Sequence, residues 1–385
     1  MKKIMAFLTA SILFVITVFS VHLVAEDSLR TNDSHFGTWI STKKDLSYKA
    51  VSSNLKDNTY LMMGSSEFHH EKDAPYHPTQ IFRALDMNVM CIGAAYSQSL
   101  THAIALGSIS QELKTKKVAL LLSPSWFSKS GVKPAAFANR FSESQYIAMM
   151  KNPGISEETK WAVAKRTKEL LEISPGLQEK AQRYERIFLS KRATLKDRVY
   201  YKLQKAFLDE KEAMNVGMLW KTTGKTEHAS YETVNRQKLD WDVLAAEAAE
   251  GSTANPFYMD DEFYKNKVVP TMEKRKNADT NRSYGISPEY DDLKIFLDIC
   301  RQEKIEVLLI LLPVNGYWYD YTGFPKANRD LFEKNVLEIA KTYGVRTCNL
   351  FEECYTPGFL KDIVHPAEKG WIRINEAAYR FFRES

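Results

Sequence analysis

Runs of consecutive apolar residues at intervals along the chain predict buried β-strands. They are rich in β-forming residues and lie at 59–63, 88–93, 117–123, 306–313 and 345–350. Segments with apolar residues at helical spacing separate most of them, at 78–86, 97–116, 291–304 and 327–344. Because parallel strands need crossover helices and are covered on both faces, this alternation predicts a doubly wound α/β fold with a parallel sheet.

One long interval, residues 128–285, breaks this alternation. It is charged and helix-rich and has no apolar run comparable to the other predicted strands. We interpret it as a large, mostly helical insertion between the third and fourth strands of an α/β domain that spans residues 27–385. A cluster of Gly, Ser, Thr, Asn and Pro at 251–256 indicates a loop within this insertion, near the mouth of a site.

The N-terminal segment 4–25 carries no charged residue and is long enough to cross a bilayer as a helix. A cleavable signal peptide is the competing interpretation. The length of the segment, and Leu23 where a cleavage site needs a small residue, favour an uncleaved anchor over residues 1–26. Lysines precede the segment and acidic residues follow it, so the positive-inside rule predicts a single-pass protein with a cytoplasmic N-terminus and an extracellular domain.

Composition narrows the function classes only slightly. The chain has 385 residues, and its net charge of +5 comes from 53 basic and 48 acidic residues that are mixed along it. No stripe of basic residues therefore predicts nucleic-acid binding.

The four cysteines fall into two groups. Cys91 and Cys300 lie in apolar patterns typical of buried free thiols. Cys348 and Cys354 are near enough to pair if the chain turns between them. No Cys or His spacing indicates a metal site, and we expect no cofactor.

The sequence GSSEF (64–68) follows the first predicted strand and is a candidate nucleophile turn. In open α/β sheets, ligands bind where strands turn into helices. Gly64 permits a tight turn, after which a serine can present its hydroxyl and its own N–H to the same space. A buried strand that ends in a polar loop is the alternative.

A serine nucleophile needs a histidine base that is itself oriented by an acceptor. His365 lies near the C-terminus, after the last predicted strand, and Asp362 precedes it by three residues. In a helical turn this spacing lets the carboxylate reach one ring nitrogen and leaves the other for the serine. Taken alone the spacing is a weak signal, and its place after the last strand strengthens it.

The oxyanion of an acyl-transfer intermediate needs two or three hydrogen-bond donors. The candidates at strand ends are the N–H of the nucleophile, the N–H of Gly93 and the side-chain amide of Asn315. Gly93 as a plain turn glycine, and Asn315 with Gly316 as a turn dipeptide, are the alternatives.

This order of motifs resembles the SGNH hydrolase superfamily, whose blocks lie on a flavodoxin-like sheet. With the anchor, the helical insertion and the segment PVNGYWYDYTG (313–323), the whole chain resembles the DltD family of D-alanyl-lipoteichoic acid biosynthesis proteins. The superfamily usually begins its first block with Gly-Asp-Ser. Ser65 stands here in the Asp position, which makes Ser66 the nucleophile, and Glu67 replaces the usual apolar residue.

The resemblance implies a serine acyltransferase that moves D-alanyl groups to lipoteichoic acid through an alanyl-serine ester. Its partners are then lipoteichoic acid, the membrane, and either the D-alanyl carrier protein or a membrane-bound O-acyltransferase of the same pathway. Two alternatives stay open. One is an esterase or thioesterase with the same triad, and the other is a non-catalytic scaffold for the carrier protein or the acyltransferase.

Other polar and aromatic residues are weaker candidates for a role in the site. We expect a helix after Ser66 to carry His69 and His70 away from the hydroxyl, into solvated or substrate-lining positions. Tyr317 and Trp318 are either core aromatics or part of the pocket wall, and we count them with Glu67 as candidate substrate contacts. The basic helices of the insertion are either a solvated face or a surface for teichoic acid phosphates.

Overall fold

A parallel five-stranded sheet forms the centre of the computed structural model, which describes residues 2–28, 39–223, 239–248 and 254–384. The strands are β1 (Tyr60–Met63), β2 (Val89–Ile92), β3 (Lys117–Leu122), β4 (Glu306–Leu311) and β5 (Arg346–Asn349). They are ordered β2-β1-β3-β4-β5, the order of flavodoxin-like doubly wound sheets. The prediction of a parallel α/β sheet is confirmed, and each strand lies within its predicted run.

Alternate strand residues face two separate cores, which explains why the strands appear in the sequence as unbroken apolar runs. Leu61, Met63 and Leu120 face one core, which is shared with the helices that precede β3 and β4. Met62 and Leu121 face the other core, which the C-terminal helix covers. β5 is an edge strand and is the most exposed of the five.

The helices follow in chain order. They are α1 (Lys2–Ser28), α2 (Thr42–Asp45), α3 (Tyr48–Asn54), α4 (Pro78–Ala84), α5 (Ser99–Ile109), α6 (Pro134–Arg140), α7 (Glu143–Lys151), α8 (Glu157–Leu170), α9 (Pro175–Phe188), α10 (Leu195–Thr223), α11 (Trp241–Glu247), α12 (Asp261–Phe263), α13 (Met272–Arg275), α14 (Glu289–Gln302), α15 (Gly316–Tyr321), α16 (Lys326–Tyr343) and α17 (Glu368–Arg383). The four predicted crossover helices correspond to α4, α5, α14 and α16. The helix α17, which the sequence reading did not predict, buries Trp371 and Phe382 against the sheet.

Helices fill the described part of the connection between β3 and β4, and no strand occurs there. The predicted loop at 251–256 falls partly outside the described residues, which lack 249–253. Its described end, residues 254–260, turns back towards the sheet and lies beside the segment around Lys361, since the Asp260 N–H donates to the Lys361 carbonyl at 2.8 Å. The insertion therefore returns to the carboxyl edge of the sheet.

The N-terminal helix α1 is long and apolar enough to cross a membrane over Lys2–Val24, and none of that stretch is buried against the rest of the protein. Its last turns contact α10, where His22 pairs with Glu210. All four cysteines are free, with Cys91 and Cys300 buried and with Cys348 and Cys354 half-buried.

Candidate active site

The nucleophile turn begins where β1 ends. After Gly64 and Ser65, residues Ser66–His69 form a single turn of 3-10 helix. A side chain at Gly64 would place its Cβ 2.3 Å from Glu67 Oε1 and 2.9 Å from the Phe68 ring, because both side chains fold back beneath the turn. Glycine is thus required here by close approach, and it leaves the hydroxyl of Ser66 half-buried at the carboxyl edge of the sheet.

Ser66, His365 and Asp362 are brought together although the first two are 299 residues apart in sequence. The Ser66 Oγ lies 2.8 Å from His365 Nε2, and His365 Nδ1 lies 2.7 Å from Asp362 Oδ2. A carboxylate can only accept a hydrogen bond, so Nδ1 carries the ring proton and Nε2 is left to accept from the serine hydroxyl. A hydrogen-bonded chain of this kind can activate a serine for nucleophilic attack.

A short loop fixes the histidine and the aspartate. Leu360 and Pro366 form an antiparallel bridge, and the Lys361 N–H donates to the His365 carbonyl at 3.0 Å. Inside the loop, Asp362 Oδ1 accepts the N–H groups of Val364 and His365, each at 2.8 Å. One oxygen of Asp362 therefore holds the loop closed and the other orients the imidazole.

The negative charge of Asp362 and the positive charge of protonated His365 stabilise each other. Burial disfavours the charged imidazole of His365, but the hydrogen bond and the negative charge of Asp362 outweigh it and raise the pKa of His365. Burial also disfavours the Asp362 carboxylate, yet the hydrogen bonds from His365 and from the loop N–H groups hold its pKa below the ordinary value. The imidazolium that forms when His365 takes a proton is thus stabilised in place.

The structure supplies a physical reason for a hydroxyl at Ser65, in the position of the usual aspartate. The Ser65 hydroxyl donates to the Ala94 carbonyl at 3.1 Å, just after β2. The Ser65 N–H donates to Glu67 Oε1 at 2.6 Å. Ser65 therefore ties the nucleophile turn to the end of the neighbouring strand, and its side chain is buried.

Glu67 does not face a substrate space in this structure. Its side chain is 3% exposed and turns inward to accept the Ser65 N–H. Burial raises the pKa of the Glu67 carboxyl, and the hydrogen bonds from the backbone oppose that shift. The candidate substrate contact predicted from the sequence is instead a buried brace of the turn, because its carboxylate folds back onto the Ser65 N–H.

Gly93 lies directly against the nucleophile turn. A Cβ at this position would lie 2.1 Å from the Gly64 carbonyl oxygen, so the close approach of the two strand ends requires glycine. Its N–H donates to Asp45 Oδ2 at 3.2 Å, so this predicted oxyanion donor already has an acceptor. The N–H of Ser66, in contrast, makes no hydrogen bond to the described residues.

The acceptor Asp45 belongs to a buried ion pair that sequence reasoning missed. Lys44 Nζ lies 3.2 Å from Asp45 Oδ1 and donates to the Cys91 carbonyl at 2.5 Å, and both side chains are buried. Burial raises the pKa of Asp45, and the charge of Lys44 opposes that shift. The sequence shows here only a short run of charges, TKKD (42–45), of the kind usually found in solvent.

Asn315 also has structural partners. Its Oδ1 caps α15 by accepting the Trp318 N–H at 3.0 Å, and its Nδ2 donates to the Phe257 carbonyl at 2.8 Å. The Asn315 N–H donates to the Ile363 carbonyl at 2.9 Å, inside the loop that carries the triad histidine. Asn315 thus joins β4, the insertion and the triad loop, and one N–H of its amide remains for another acceptor.

The two aromatic candidates after Asn315 lie in different environments. Tyr317 is half-buried, and its hydroxyl donates to the Tyr355 carbonyl at 2.7 Å while its ring lies 5.0 Å from the Tyr258 ring. Trp318 is 3% exposed and packs edge-on against Phe257 at 5.2 Å. Tyr317 can border a substrate, whereas Trp318 belongs to the core, because the helical turn after Asn315 directs it inward.

His69 and His70, at the end of the nucleophile turn, lie in different environments. The helix expected to carry both away from the Ser66 hydroxyl is a single turn that ends at His69, so His70 lies beside His365. The ring of His70 lies 4.0 Å from that of His365, measured between centroids. Burial and the neighbouring charges of His365 and Lys361 lower the pKa of His70 to about 4, so His70 is neutral when it contacts the base. His69 is exposed.

Together, the parallel sheet and the Ser66–His365–Asp362 chain at its carboxyl edge define an α/β protein with the side-chain arrangement of serine-dependent acyl-transfer sites. A family model described as DltD protein matches residues 33–383. The chain therefore belongs to the DltD family, and the predicted resemblance to that family is confirmed.

Individual relatives agree with this membership. Protein DltD of Bacillus subtilis (strain 168) is 31% identical over 340 residues, which cover 86% of this chain and 84% of that protein. Protein DltD of Staphylococcus aureus (strain NCTC 8325 / PS 47) is 27% identical, with coverages of 82% and 79%. Protein DltD of Lacticaseibacillus rhamnosus is 26% identical, with coverages of 86% and 78%. The similarity thus extends over most of each chain.

Proposed function

We propose that this chain is a membrane-anchored serine acyltransferase of SGNH type that transfers D-alanyl groups to lipoteichoic acid on the outer side of the membrane. The observation that carries the proposal is the unbroken hydrogen-bond chain from Ser66 through His365 to Asp362, with distances of 2.8 Å and 2.7 Å. Membership of the DltD family supports the D-alanyl and teichoic acid substrates.

In the first half-reaction, Ser66 Oγ attacks the carbonyl carbon of an activated D-alanyl ester or thioester, and His365 Nε2 takes the serine proton. The bond to the leaving oxygen or sulfur then breaks, and His365 returns its proton to that atom. An alanyl-serine ester results. The N–H of Ser66 is the donor best supported for the oxyanion, because it has no partner in the described residues.

In the second half-reaction, a hydroxyl of the polymer attacks the alanyl-serine ester while His365 accepts its proton. The Ser66 oxygen leaves and takes that proton back from His365.

The other two predicted oxyanion donors, Gly93 and Asn315, differ in what they need before they can donate to an oxyanion. Gly93 must be released by Asp45 before its N–H can bind an oxyanion, whereas Asn315 has a second amide N–H for that purpose.

The neutral His70 beside the base supports a site partly protected from water. Its contact with the imidazole of His365 restricts the approach of solvent from that side. Since hydrolysis would waste the alanyl-serine ester, such shielding favours transfer to a polymer hydroxyl over attack by water.

The placement of the site outside the cell rests on α1 and on the lysines that precede it. Helix α1 is long and apolar enough to span the bilayer, and Lys2 and Lys3 favour a cytoplasmic N-terminus. Lipoteichoic acid is then on the same side as Ser66. The activated alanyl group reaches Ser66 from the D-alanyl carrier protein or from a membrane-bound O-acyltransferase of the same pathway.

The test is to express the wild type and Ser66→Ala in cells that lack the endogenous protein, and to measure ester-linked D-alanine on lipoteichoic acid. We expect Ser66→Ala to abolish alanylation and Ser65→Ala to retain most of it, with equal amounts of each protein in the membrane. Full alanylation by Ser66→Ala would replace the proposal with a scaffold role. A cytoplasmic reporter signal from a C-terminal fusion would contradict the extracellular placement.

A further inference from the structure

The long helix α10 presents an apolar face to solvent, which is unusual for a helix of a folded domain. Leu195, Leu203 and Phe207 are 76%, 68% and 60% exposed, and Val199, Met214 and Met218 on the same helix are also exposed. At about 100° per residue, these side chains fall within an arc of about 140°. The opposite face of α10 packs on the protein, with Leu208, Val216 and Leu219 buried.

This apolar face lies where α1 meets the domain. Glu210 falls within the same arc of α10 and pairs with His22, close to the C-terminal end of the stretch Lys2–Val24. A bilayer core of about 30 Å takes up about 20 helical residues. If the core starts at Ile4, its far boundary is reached near His22. The middle of α10 then lies at the level where lipid headgroups meet acyl chains.

Basic side chains accompany the apolar face. Lys196, Arg198, Lys202 and Lys211 are all exposed on α10. Lysine and arginine beside an exposed apolar stripe are the composition of helices that lie in the plane of a membrane, because their ammonium and guanidinium groups meet lipid phosphates. If the same stripe faced water, its apolar side chains would remain hydrated and its basic groups would have no lipid phosphates to pair with.

We propose that α10 lies on the outer leaflet of the membrane that α1 crosses, with its apolar face inserted at the boundary between headgroups and acyl chains. This inference rests on the membrane anchoring in the proposed function. The helix and the anchor then hold the domain at two points, which restricts its tilt. Ser66 would be kept at a fixed height above the bilayer, close to a polymer that is itself tied to lipid.

The experiment uses the full chain in vesicles of equal parts phosphatidylglycerol and phosphatidylcholine. Single nitroxide labels are placed by Leu203→Cys on α10, by Leu13→Cys in α1, and by Ile286→Cys as a matched control. Ile286 is an exposed apolar residue outside α10. Cys348 and Cys354 are replaced by serine, and the buried Cys91 and Cys300 are kept. Collision with oxygen reports lipid, and collision with a water-soluble nickel complex reports solvent.

We expect the label at 203 to lose accessibility to the nickel complex and to gain accessibility to oxygen, as the label at 13 does, while the label at 286 stays open to the nickel complex. A label at 203 that behaves like the one at 286, while 13 reports lipid, would overturn the inference and leave the anchor intact. Water access at both 13 and 203 would overturn the anchor as well. Shielding of 203 from both agents would mean that protein covers the stripe, which also overturns the inference.

Discussion

Replacing Asp362 with asparagine isolates the orienting role of the carboxylate. In the wild type, Oδ1 accepts two loop N–H groups at 2.8 Å each and Oδ2 accepts His365 Nδ1–H at 2.7 Å. An asparagine keeps an oxygen for the two loop donors when its amide NH₂ faces Nδ1. The opposite orientation would leave two backbone N–H groups facing NH₂, at about 1 kcal/mol or more each. The variant should therefore keep the hydrogen bonds of the loop and change only the hydrogen bond to the His365 imidazole.

With an NH₂ donor against Nδ1, this nitrogen must accept, and the ring proton moves to Nε2. Nε2 then faces the Ser66 hydroxyl as a donor and cannot take its proton. The loss expected from this wrong tautomer is about 10⁴-fold in the rate of serine acylation, which corresponds to about 5.4 kcal/mol of transition-state stabilisation. Because the loop bonds persist, the free energy of unfolding should change by no more than about 1 kcal/mol.

The assay measures the rate at which a fluorophosphonate modifies the purified full chain, with the modified peptide mapped to Ser66 by mass spectrometry. Asp242→Asn is the matched control, since Asp242 is 81% exposed and pairs with Arg373 on the surface. The control should react at the wild-type rate. If Asp362→Asn also reacted at the wild-type rate while the label mapped to Ser66, the assignment of Asp362 as the orienting residue would be refuted.

Three further outcomes follow from the same geometry. Gly93→Ala should lower the free energy of unfolding by about 3 kcal/mol or prevent folding, because its Cβ would lie 2.1 Å from the Gly64 carbonyl oxygen. The control Gly176→Ala has open space around it and should not destabilise the protein in the same denaturant titration. Ser65→Ala should cost about 1 kcal/mol in thermal unfolding and leave Ser66 reactive, since it removes one buried hydrogen bond. The rate of Ser66 acylation should rise with pH through a midpoint above the ordinary value of 6.5, because only neutral His365 acts as base and Asp362 raises its pKa; a midpoint below 6.5 would contradict this.

Local pattern determined much of the architecture. Strands such as β3 and β4 are buried on both faces, so their residues are apolar without interruption and stand out from the surrounding chain. A parallel arrangement follows from the helical segments between them. Because such a sheet places its carboxyl ends along one edge, the sequence predicted Ser66 after β1 and His365 after β5 to lie at the same edge despite their separation in sequence.

Tertiary packing decided the features that depend on a neighbour's exact position. The sequence does not show that Glu67 turns under Gly64, since the same letters fit an exposed loop, nor that His70 returns to the base after one helical turn. It also does not reveal that Lys44 and Asp45 are buried, because charged residues in a short polar run are normally solvated. The period of apolar residues fixes which face of an element is buried. Only packing fixes which polar groups remain free for chemistry, because each must find a partner in space or stay open to a substrate.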